Sequence, residues 1–245
     1  MAILVTRPLP DGETTASALR AKGFEVLLAP MLRFEPVTFH DDSDAPYGAV
    51  IVTSANALRA VEARLQGSPL LKLPLFAVGE HTAAAARAAG FAKVISAESD
   101  AAGLRERILA SVKAKTLKKA SPLLYLAGAD LARDLPGELG ERGFTVVTQT
   151  TYRMVALPSL PTETREAFAA HEVEAVLHYS RRSARAFIEA VRAAGVEISA
   201  LSLPQGCLSA GIATVLRDAG AVRVFVAPSP DEGALLVALG GALGA

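Results

Sequence analysis

Two stretches of the sequence decide the fold: residues 49–59 read AVIVTSANALR, and residues 175–185 read AVLHYSRRSAR. Each starts with a short apolar run typical of a buried strand, continues through small or polar residues, and passes into a helical pattern. A strand that leads through a polar loop into a helix is half of a βαβ crossover, which joins parallel strands. The sequence therefore predicts an α/β fold with parallel sheets.

The same alternation of strand and helix patterns continues outward in both directions. Short apolar runs predict further strands at Ile3–Val5, Val26–Leu28, Phe76–Val78, Val94–Ile95, Leu123–Leu126 and Val146–Val147. Helical patterns lie between them, at Glu13–Lys22 and around the apolar triplets Leu58, Val61 and Leu65; Leu104, Ile108 and Val112; and Leu131, Leu135 and Leu139. Helices of this length between strands favour βαβ units throughout the chain.

Three units of this alternation recur in the same order. Gly23-Phe24 corresponds to Gly143-Phe144, Ser54 to Ser180, and Leu73-Pro74 to Leu203-Pro204. All βαβ units share some features, but glycines and prolines at matching places favour an internal duplication. Two like halves predict two like domains with a cleft between them. Candidate linkers are Arg33–Pro36 and Arg153–Pro158, which follow equivalent strands.

Composition limits the possible partners and the compartment. The 245 residues carry no net charge, which argues against nucleic-acid binding because that normally requires a basic excess. Cys207 is the single cysteine, so an intramolecular disulfide is impossible. No apolar run approaches the roughly 20 residues that cross a bilayer, and no signal-peptide pattern is present. A cytoplasmic protein with no membrane association is expected.

Metal and nucleotide motifs are missing from the sequence. The histidines (His40, His81, His171 and His178) show no paired metal-ligand spacing, and Cys207 has no second cysteine beside it. There is no GxGxxG after a strand, no GxxxxGK[ST] and no GxSxG. No metal or organic cofactor is predicted.

Polar residues follow several of the predicted strands. Ligands bind at the carboxyl ends of parallel strands, where helix N-termini offer free amide groups. The candidate ligand-binding residues at these ends are Arg7, Thr53, Ser54, Asn56, Gly79, His81, Thr82, Gly128, Ser180 and Arg181. Amides and hydroxyls in these loops would suit a ligand rich in carboxylates. Serine, threonine and asparagine are also ordinary helix caps, and Arg181 is as readily explained as a solvated surface residue.

Tyr152 lies just before the second candidate linker, and its position there allows two interpretations. A tyrosine there is often an amphipathic residue at the rim of a sheet. Alternatively, its phenol points into the cleft and serves as a general acid. His178, in contrast, lies inside a strand pattern and is predicted to be structural.

With these residues identified, the sequence resembles the uroporphyrinogen-III synthase family along nearly its whole length. The similar segments are Val5–Pro8, Val52–Ala57, Val78–Thr82, Gly143–Arg153, Ser180 and Pro228–Pro230. Each motif is short, but the ordered set is considerably more specific than any one of them.

The resemblance implies two Rossmann-like parallel-sheet domains joined by a two-strand linker with an interdomain cleft. Residues 1–36 and 156–245 would form one discontinuous domain, and residues 37–155 the inserted one. The implied substrate is hydroxymethylbilane, a linear tetrapyrrole, and the implied product is uroporphyrinogen III, formed with loss of water and inversion of ring D. Tyr152 matches the family's tyrosine and becomes the predicted proton donor, and no cofactor takes part.

Three loops depart from the family's pattern, at 127–128, 179–182 and 209–212. They keep open an alternative, a non-catalytic or divergent two-domain protein that binds a small polycarboxylate. The enzyme is expected to be a monomer, since no amphipathic segment is left over after the cores are assigned. A transient contact with the enzyme that makes hydroxymethylbilane stays open.

Overall fold

The computed structural model describes residues 1–38, 46–97, 101–131 and 133–244, and within these ranges the fold is α/β, as predicted. The strands, in chain order, are β1 (Ala2–Val5), β2 (Glu25–Leu28), β3 (Leu32–Pro36), β4 (Ala49–Val52), β5 (Pro74–Val78), β6 (Lys93–Ala97), β7 (Leu123–Gly128), β8 (Val146–Ala156), β9 (Val173–His178), β10 (Gln205–Cys207) and β11 (Val224–Val226). The α-helices are α1 (Asp11–Arg20), α2 (Ala55–Leu65), α3 (Gly79–Ala88), α4 (Ala101–Lys113), α5 (Leu135–Gly140), α6 (Thr162–Ala169), α7 (Arg181–Ala193), α8 (Glu197–Ser202), α9 (Ala210–Asp218) and α10 (Glu232–Leu243), and a 3₁₀-helix spans Pro69–Lys72.

The described residues divide into two compact units. Unit 1 comprises Met1–Phe34 and Val155–Ala245, and unit 2 comprises Glu35–Met154. The chain leaves unit 1 within β3 and returns within β8, and these two strands are hydrogen-bonded neighbours. The predicted domain boundaries, after residues 36 and 155, fall in the same two strands. Whether the units behave as independent domains stays a prediction.

Unit 1 contains a parallel sheet of five strands among its described residues. The strand order is β11-β10-β9-β1-β2, so β1 lies between β2 and β9 although β9 follows it by a long stretch of chain. The register pairs Ile3 with Val26 on one side and with Ala175 on the other. Helices cover both faces of such a sheet, which explains why β1 is buried along its full length.

The second sheet has six described strands in the order β3-β8-β7-β4-β5-β6, of which β4 to β7 lie wholly in unit 2. The strands from β4 to β8 are parallel to one another. β3 is antiparallel to β8, because Val37 N donates to Thr151 O at 2.7 Å while Leu157 N donates to Met31 O at 3.0 Å. One face of the sheet packs against α2 and α3 through Val50, Val52 and Leu126, and the opposite face carries Ile51, Phe76 and Tyr125.

Two details of the predicted helices are wrong. The helix predicted at Glu13–Lys22 begins at Asp11 and ends at Arg20. Leu131 was assigned to a helix with Leu135 and Leu139, but it lies outside α5 and is exposed. α5 begins only after Asp134, whose carboxylate accepts a hydrogen bond from Gly137 N at 2.9 Å, a standard N-cap that fixes the start of the helix.

Within the described ranges no helix combines the length and the apolar character that are needed to span a membrane.

Candidate functional site

The candidate site residues of unit 2 lie at one edge of its sheet. β8, β7, β4 and β5 are neighbours and parallel, so their carboxyl ends open onto the same edge. This brings eight of the predicted residues to that edge: Thr53, Ser54, Asn56, Gly79, His81, Thr82, Gly128 and Tyr152. The remaining predicted residues, Arg7, Ser180 and Arg181, lie at the carboxyl edge of the sheet in unit 1.

Ser54 is the N-cap of α2. Its Oγ accepts a hydrogen bond from Asn56 N at 3.3 Å, and its extended backbone is typical of that position. Asn56 Oδ1 accepts a hydrogen bond from Arg59 Nη1 at 2.5 Å, which directs the Asn56 amide nitrogen away from the guanidinium. The capping explanation of this loop therefore holds for Ser54, and a ligand would meet the Asn56 side chain as a donor.

Gly79 begins α3 with a φ of +72°, a conformation that side chains rarely adopt. The residue before it, Val78, has no side-chain acceptor to cap the helix. Within the first turn His81 is exposed, whereas the side chain of Thr82 is buried against the protein. Of the predicted contacts in this loop, His81 is therefore accessible to a ligand and Thr82 serves the packing of the helix.

Tyr152 is placed by a β-bulge in β8. Ala127 pairs with Thr150, but Gly128 pairs with Tyr152, so Thr151 is the extra residue. Thr151 is fully buried, and its Oγ1 donates to Ala127 O at 3.1 Å. Bulges are frequent beside functional sites, where they redirect a side chain.

The bulge changes the face on which Tyr152 lies. Val146 packs on the face of Phe76 and Tyr125, and strict alternation would put Tyr152 on that same face. With Thr151 inserted, Tyr152 packs instead on the α2 and α3 face. There it lies over Gly128, where a Cβ atom would be only 2.7 Å from Tyr152 Cζ and 2.9 Å from its hydroxyl oxygen.

Thr53 and Tyr125 form a contact at the same edge that the sequence did not predict. The Tyr125 hydroxyl lies 2.9 Å from Thr53 Oγ1, and the ring is 3% exposed. Burial raises the pKa of the Tyr125 phenol, the hydrogen bond with Thr53 opposes this, and the nearby Tyr152 adds to the rise. Tyr125 sits in the apolar run LLYLAG and reads as a core residue, and only the register of β7 against β4 reveals its contact with Thr53.

In unit 1, Arg7 is engaged by carboxylates of the protein itself. Its guanidinium lies 3.3 Å from Glu232 Oε1 and 3.5 Å from Asp11 Oδ2, and it stacks 4.8 Å from the centroid of the Tyr179 ring. Glu232 also accepts hydrogen bonds from Thr15 and from the Tyr179 hydroxyl. Arg7 was predicted to bind ligand carboxylates; that role stays a prediction, and in this structure its guanidinium contacts Glu232 and Asp11.

Ser180 is the N-cap of α7, as Ser54 is of α2. Its Oγ accepts from Ser183 N at 3.0 Å and lies 2.9 Å from Ser183 Oγ. Arg181 is exposed, and its Cδ lies 3.6 Å from where a Cβ atom of Gly211 would be, so the side chain passes over the start of α9. Each unit thus has a serine that caps the helix after one of its strands, although Ser54 accepts from the second residue after it and Ser180 from the third.

His178 is a core residue, as predicted. It is fully buried, its Nε2 lies 3.0 Å from Gln205 Oε1, and its ring meets the Phe187 ring edge-on. Gln205 Nε2 donates to Ala200 O and Leu203 O, so Gln205 Oε1 faces the histidine and Nε2 of His178 carries the proton. Burial lowers the pKa of His178 to about 4, and the hydrogen bond with Gln205 only partly offsets this.

The described residues contain no metal-binding cluster. Among residues 1–38, 46–97, 101–131 and 133–244, no three His, Cys, Asp or Glu side chains are grouped so as to hold a metal ion. His40 lies outside these ranges. Cys207 is buried, and burial raises the pKa of its thiol to about 12, which makes it a poor ligand and a poor nucleophile.

The geometry defines a class of protein, an α/β protein with two sheets of mostly parallel strands. In each sheet the loops that cap the following helices lie at the carboxyl edge, and in one sheet a β-bulge places a tyrosine there as well. The family model of uroporphyrinogen-III synthase HemD matches residues 13–237. The chain therefore belongs to the uroporphyrinogen-III synthase family.

Solved structures agree with this fold. Uroporphyrinogen-III synthetase from Helicobacter pylori superposes with a TM-score of 0.65 at 19% sequence identity, covering 97% of this chain and 98% of that one. A mutant uroporphyrinogen III synthase from the extremely thermophilic bacterium Thermus thermophilus gives a TM-score of 0.60 at 18% identity, covering 100% of this chain and 99% of that one. A search among curated proteins finds no significant match.

Proposed function

We infer that this protein is an enzyme of tetrapyrrole and heme biosynthesis, a lyase that cyclises hydroxymethylbilane to uroporphyrinogen III with loss of water. The observation that carries this inference is the family match over residues 13–237. The structure supports it through the placement of Tyr152. This proton donor lies at the carboxyl edge of a parallel sheet, which is where ligands of such sheets bind.

We propose that Tyr152 is the proton donor of the first step. The C–O bond to the terminal hydroxyl breaks, the phenolic proton joins the departing oxygen to form water, and an azafulvene-like cation remains. Ring D attacks this cation through its substituted carbon and gives a spiro intermediate. Fragmentation and reclosure at the free carbon invert ring D, and the proton released as that ring becomes aromatic again restores the phenol.

Positioning supplies the rest of the proposed mechanism. The substrate is intrinsically reactive and closes head-to-tail when it is not held, so the protein must keep it in one conformation. Amides at the starts of α2, α3 and α7 and the donors Thr53, Asn56 and Ser180 suit the acetate and propionate groups of the substrate. His81 and Arg181 are accessible cations or donors beside these loops, and Arg7 acts indirectly by tying the loop after β1 to Glu232.

The direct test is to mix the purified protein with freshly generated hydroxymethylbilane and to separate the product isomers. Uroporphyrinogen III is expected as the main product. If only the type I isomer forms, at the spontaneous rate, the enzymatic function is excluded. Tight binding of the substrate without turnover would then favour the alternative, a divergent polycarboxylate-binding protein.

The role of Tyr152 has its own test. Tyr152→Phe removes the proton but keeps the ring over Gly128, and it should slow turnover severalfold to about a hundredfold, since one positioned acid is typically worth about 10²-fold or more and a reactive substrate needs less help. Tyr47→Phe, which removes a phenol before the amino end of β4, is the matched control and should leave turnover unchanged. An unaltered rate in Tyr152→Phe would remove Tyr152 from the mechanism but not the function from the protein.

We further propose that the enzyme works as a cytoplasmic monomer without a cofactor, and that units 1 and 2 are its two domains. The single cysteine, Cys207, is buried and free, as is usual in a reducing compartment, and it offers no disulfide to a second copy. Sedimentation at several protein concentrations would show a single species of 25.4 kDa if the proposal holds.

A further inference from the structure

The contact between Tyr125 and Thr53 joins a buried phenol to a predicted substrate-binding hydroxyl. Ile51 of β4 pairs with Tyr125 of β7, and Thr53 follows Ile51 by two residues on the same face. The Tyr125 side chain therefore runs along the sheet towards the carboxyl edge and meets Thr53 Oγ1 at 2.9 Å. Thr53 itself is only partly buried.

The direction of this hydrogen bond follows from the chemistry of the two hydroxyls. A phenol is more acidic than an aliphatic alcohol and is the better donor, and the buried Tyr125 ring keeps its proton because burial disfavours the phenolate. When Tyr125 donates, Thr53 Oγ1 has accepted a hydrogen bond and its own proton must point elsewhere. Because Thr53 follows the last residue of β4, this proton is available to an acceptor at the carboxyl edge of the sheet.

A negative charge on Tyr152 raises the pKa of the Tyr125 phenol. When Tyr152 gives up its proton in the proposed mechanism, the neighbouring Tyr125 is disfavoured from ionising as well. Tyr125 therefore stays neutral throughout the reaction, and its hydrogen bond to Thr53 persists. The two tyrosines therefore have different proposed roles: Tyr152 donates a proton in the reaction, and Tyr125 keeps its hydrogen bond to Thr53.

We propose that Tyr125 is a positioning residue that orients the Thr53 hydroxyl to donate to a carboxylate of the substrate. The proposal rests on the proposed function, since it names how one substrate group is held at the same site. Tyr125 does not itself touch the substrate. Its effect is expected on substrate binding and not on the chemical step.

The test is a double-mutant cycle of Tyr125→Phe with Thr53→Val, measured as KM and kcat for hydroxymethylbilane. Tyr125→Phe should raise KM about fivefold with little change in kcat, as loss of one ordinary hydrogen bond predicts. Thr53→Val should raise KM at least as much, and adding Tyr125→Phe to it should raise KM no further. Thr53→Ser keeps the hydroxyl and should retain the sensitivity to Tyr125→Phe.

Controls separate positioning from a general loss of structure. Thermal unfolding should show that each variant is folded at the assay temperature, and Tyr47→Phe should leave KM unchanged. Suppose that the wild-type enzyme is active. If Tyr125→Phe leaves KM unchanged, or raises KM by the same factor in the Thr53→Val background as in the wild type, the role of Tyr125 is overturned but the proposed function is not. A wild-type protein that forms no type III isomer would overturn the proposed function and this role with it.

Discussion

Gly128 is the residue on which the position of Tyr152 depends. The ring of Tyr152 occupies the space in which any side chain at residue 128 would begin, and the distances of 2.7 and 2.9 Å leave no room for a methyl group. A glycine here is explained by this close approach and not by an unusual φ. The sequence placed Gly128 at a strand end but could not show which side chain needed it, because that depends on the pairing of β7 with β8.

Gly128→Ala is expected to displace the Tyr152 ring and to lower turnover by about tenfold, since a shift of roughly 1 Å at a catalytic group can cost more than that. Steady-state kinetics on the isomer-separated product would measure the effect. The matched control is Gly140→Ala at the end of α5, where a Cβ atom meets nothing within 4 Å. In the Tyr152→Phe background Gly128→Ala should have a much smaller effect; a full tenfold loss there would contradict the explanation.

His178 makes stability depend on pH in the acidic range. Its pKa is about 4 in the folded protein and about 6.5 in the unfolded chain, so between these values the unfolded state binds a proton that the folded state does not. The contribution of neutral His178 is therefore fully present above pH 6.5 and is lost as pH falls towards 4. The expected loss in the free energy of unfolding is about 3 kcal/mol.

Denaturant unfolding at a series of pH values would measure this dependence. His178→Gln keeps a donor towards Gln205 but does not titrate, so its free energy of unfolding should fall less between pH 7 and 4 than that of the wild type. His171→Asn changes an exposed histidine that has a positive φ, which asparagine tolerates, and should leave the wild-type slope in place. Equal slopes for wild type and His178→Gln would show that other groups govern the acid response.

At the scale of elements, the bulge in β8 marks the limit of sequence interpretation. The apolar runs predicted most of the strands and helices because buried parallel strands are nearly continuous in hydrophobic residues. The same continuity hides a bulge, since one extra residue in TQTTYR changes no pattern of period two. Tyr152 was therefore predicted as a candidate from its place near the linker and from the resemblance, while its face, its partner Gly128 and its neighbour Tyr125 required the register.

The capping serine of α7, Ser180, can be tested for a second role in binding. Ser180→Ala should lower the free energy of unfolding by about 1 kcal/mol, because Ser183 N loses its acceptor. Ser180→Asp retains an acceptor at the N-cap and should preserve stability, yet its negative charge would repel a carboxylate of the substrate. We expect KM to rise about tenfold in Ser180→Asp.

The control is Ser68→Asp, at the cap of the 3₁₀-helix before β5, where Ser68 Oγ accepts from Leu70 N at 3.2 Å. Ser68 precedes the amino end of β5, whereas the candidate site lies at the carboxyl ends of the strands. Neither stability nor KM should therefore change appreciably in Ser68→Asp. If Ser180→Asp also keeps the wild-type KM, Ser180 acts as a helix cap and not in substrate binding.

At the scale of the whole molecule, the two sheets have corresponding strand orders. β11-β10-β9-β1-β2 in unit 1 matches β6-β5-β4-β7-β8 in unit 2. The matching glycines and prolines in the sequence follow this correspondence, which supports the predicted duplication. Each unit then combines the first two strands of one repeat with the last three of the other, an arrangement that periodicity could not predict because it does not say where the chain crosses.

Unit 2 is predicted to fold as an isolated fragment of residues 35–154. It has apolar cores on both faces of its sheet, built from residues of this continuous segment. Unfolding of the fragment in denaturant, followed by circular dichroism and by fluorescence of its tyrosines, should give one coincident cooperative transition. A fragment without a cooperative transition would mean that unit 2 depends on the rest of the chain and is not a domain in its own right.

The position of β1 between β2 and β9 has a consequence for biosynthesis. β1 is translated before unit 2, and the strand beside it, β9, is complete only at His178, after unit 2. At usual elongation rates the apolar segment Ala2–Val5 must wait on the order of ten seconds or more for that neighbour. During this interval it is a natural client for a nascent-chain chaperone, while unit 2 is free to fold beside it.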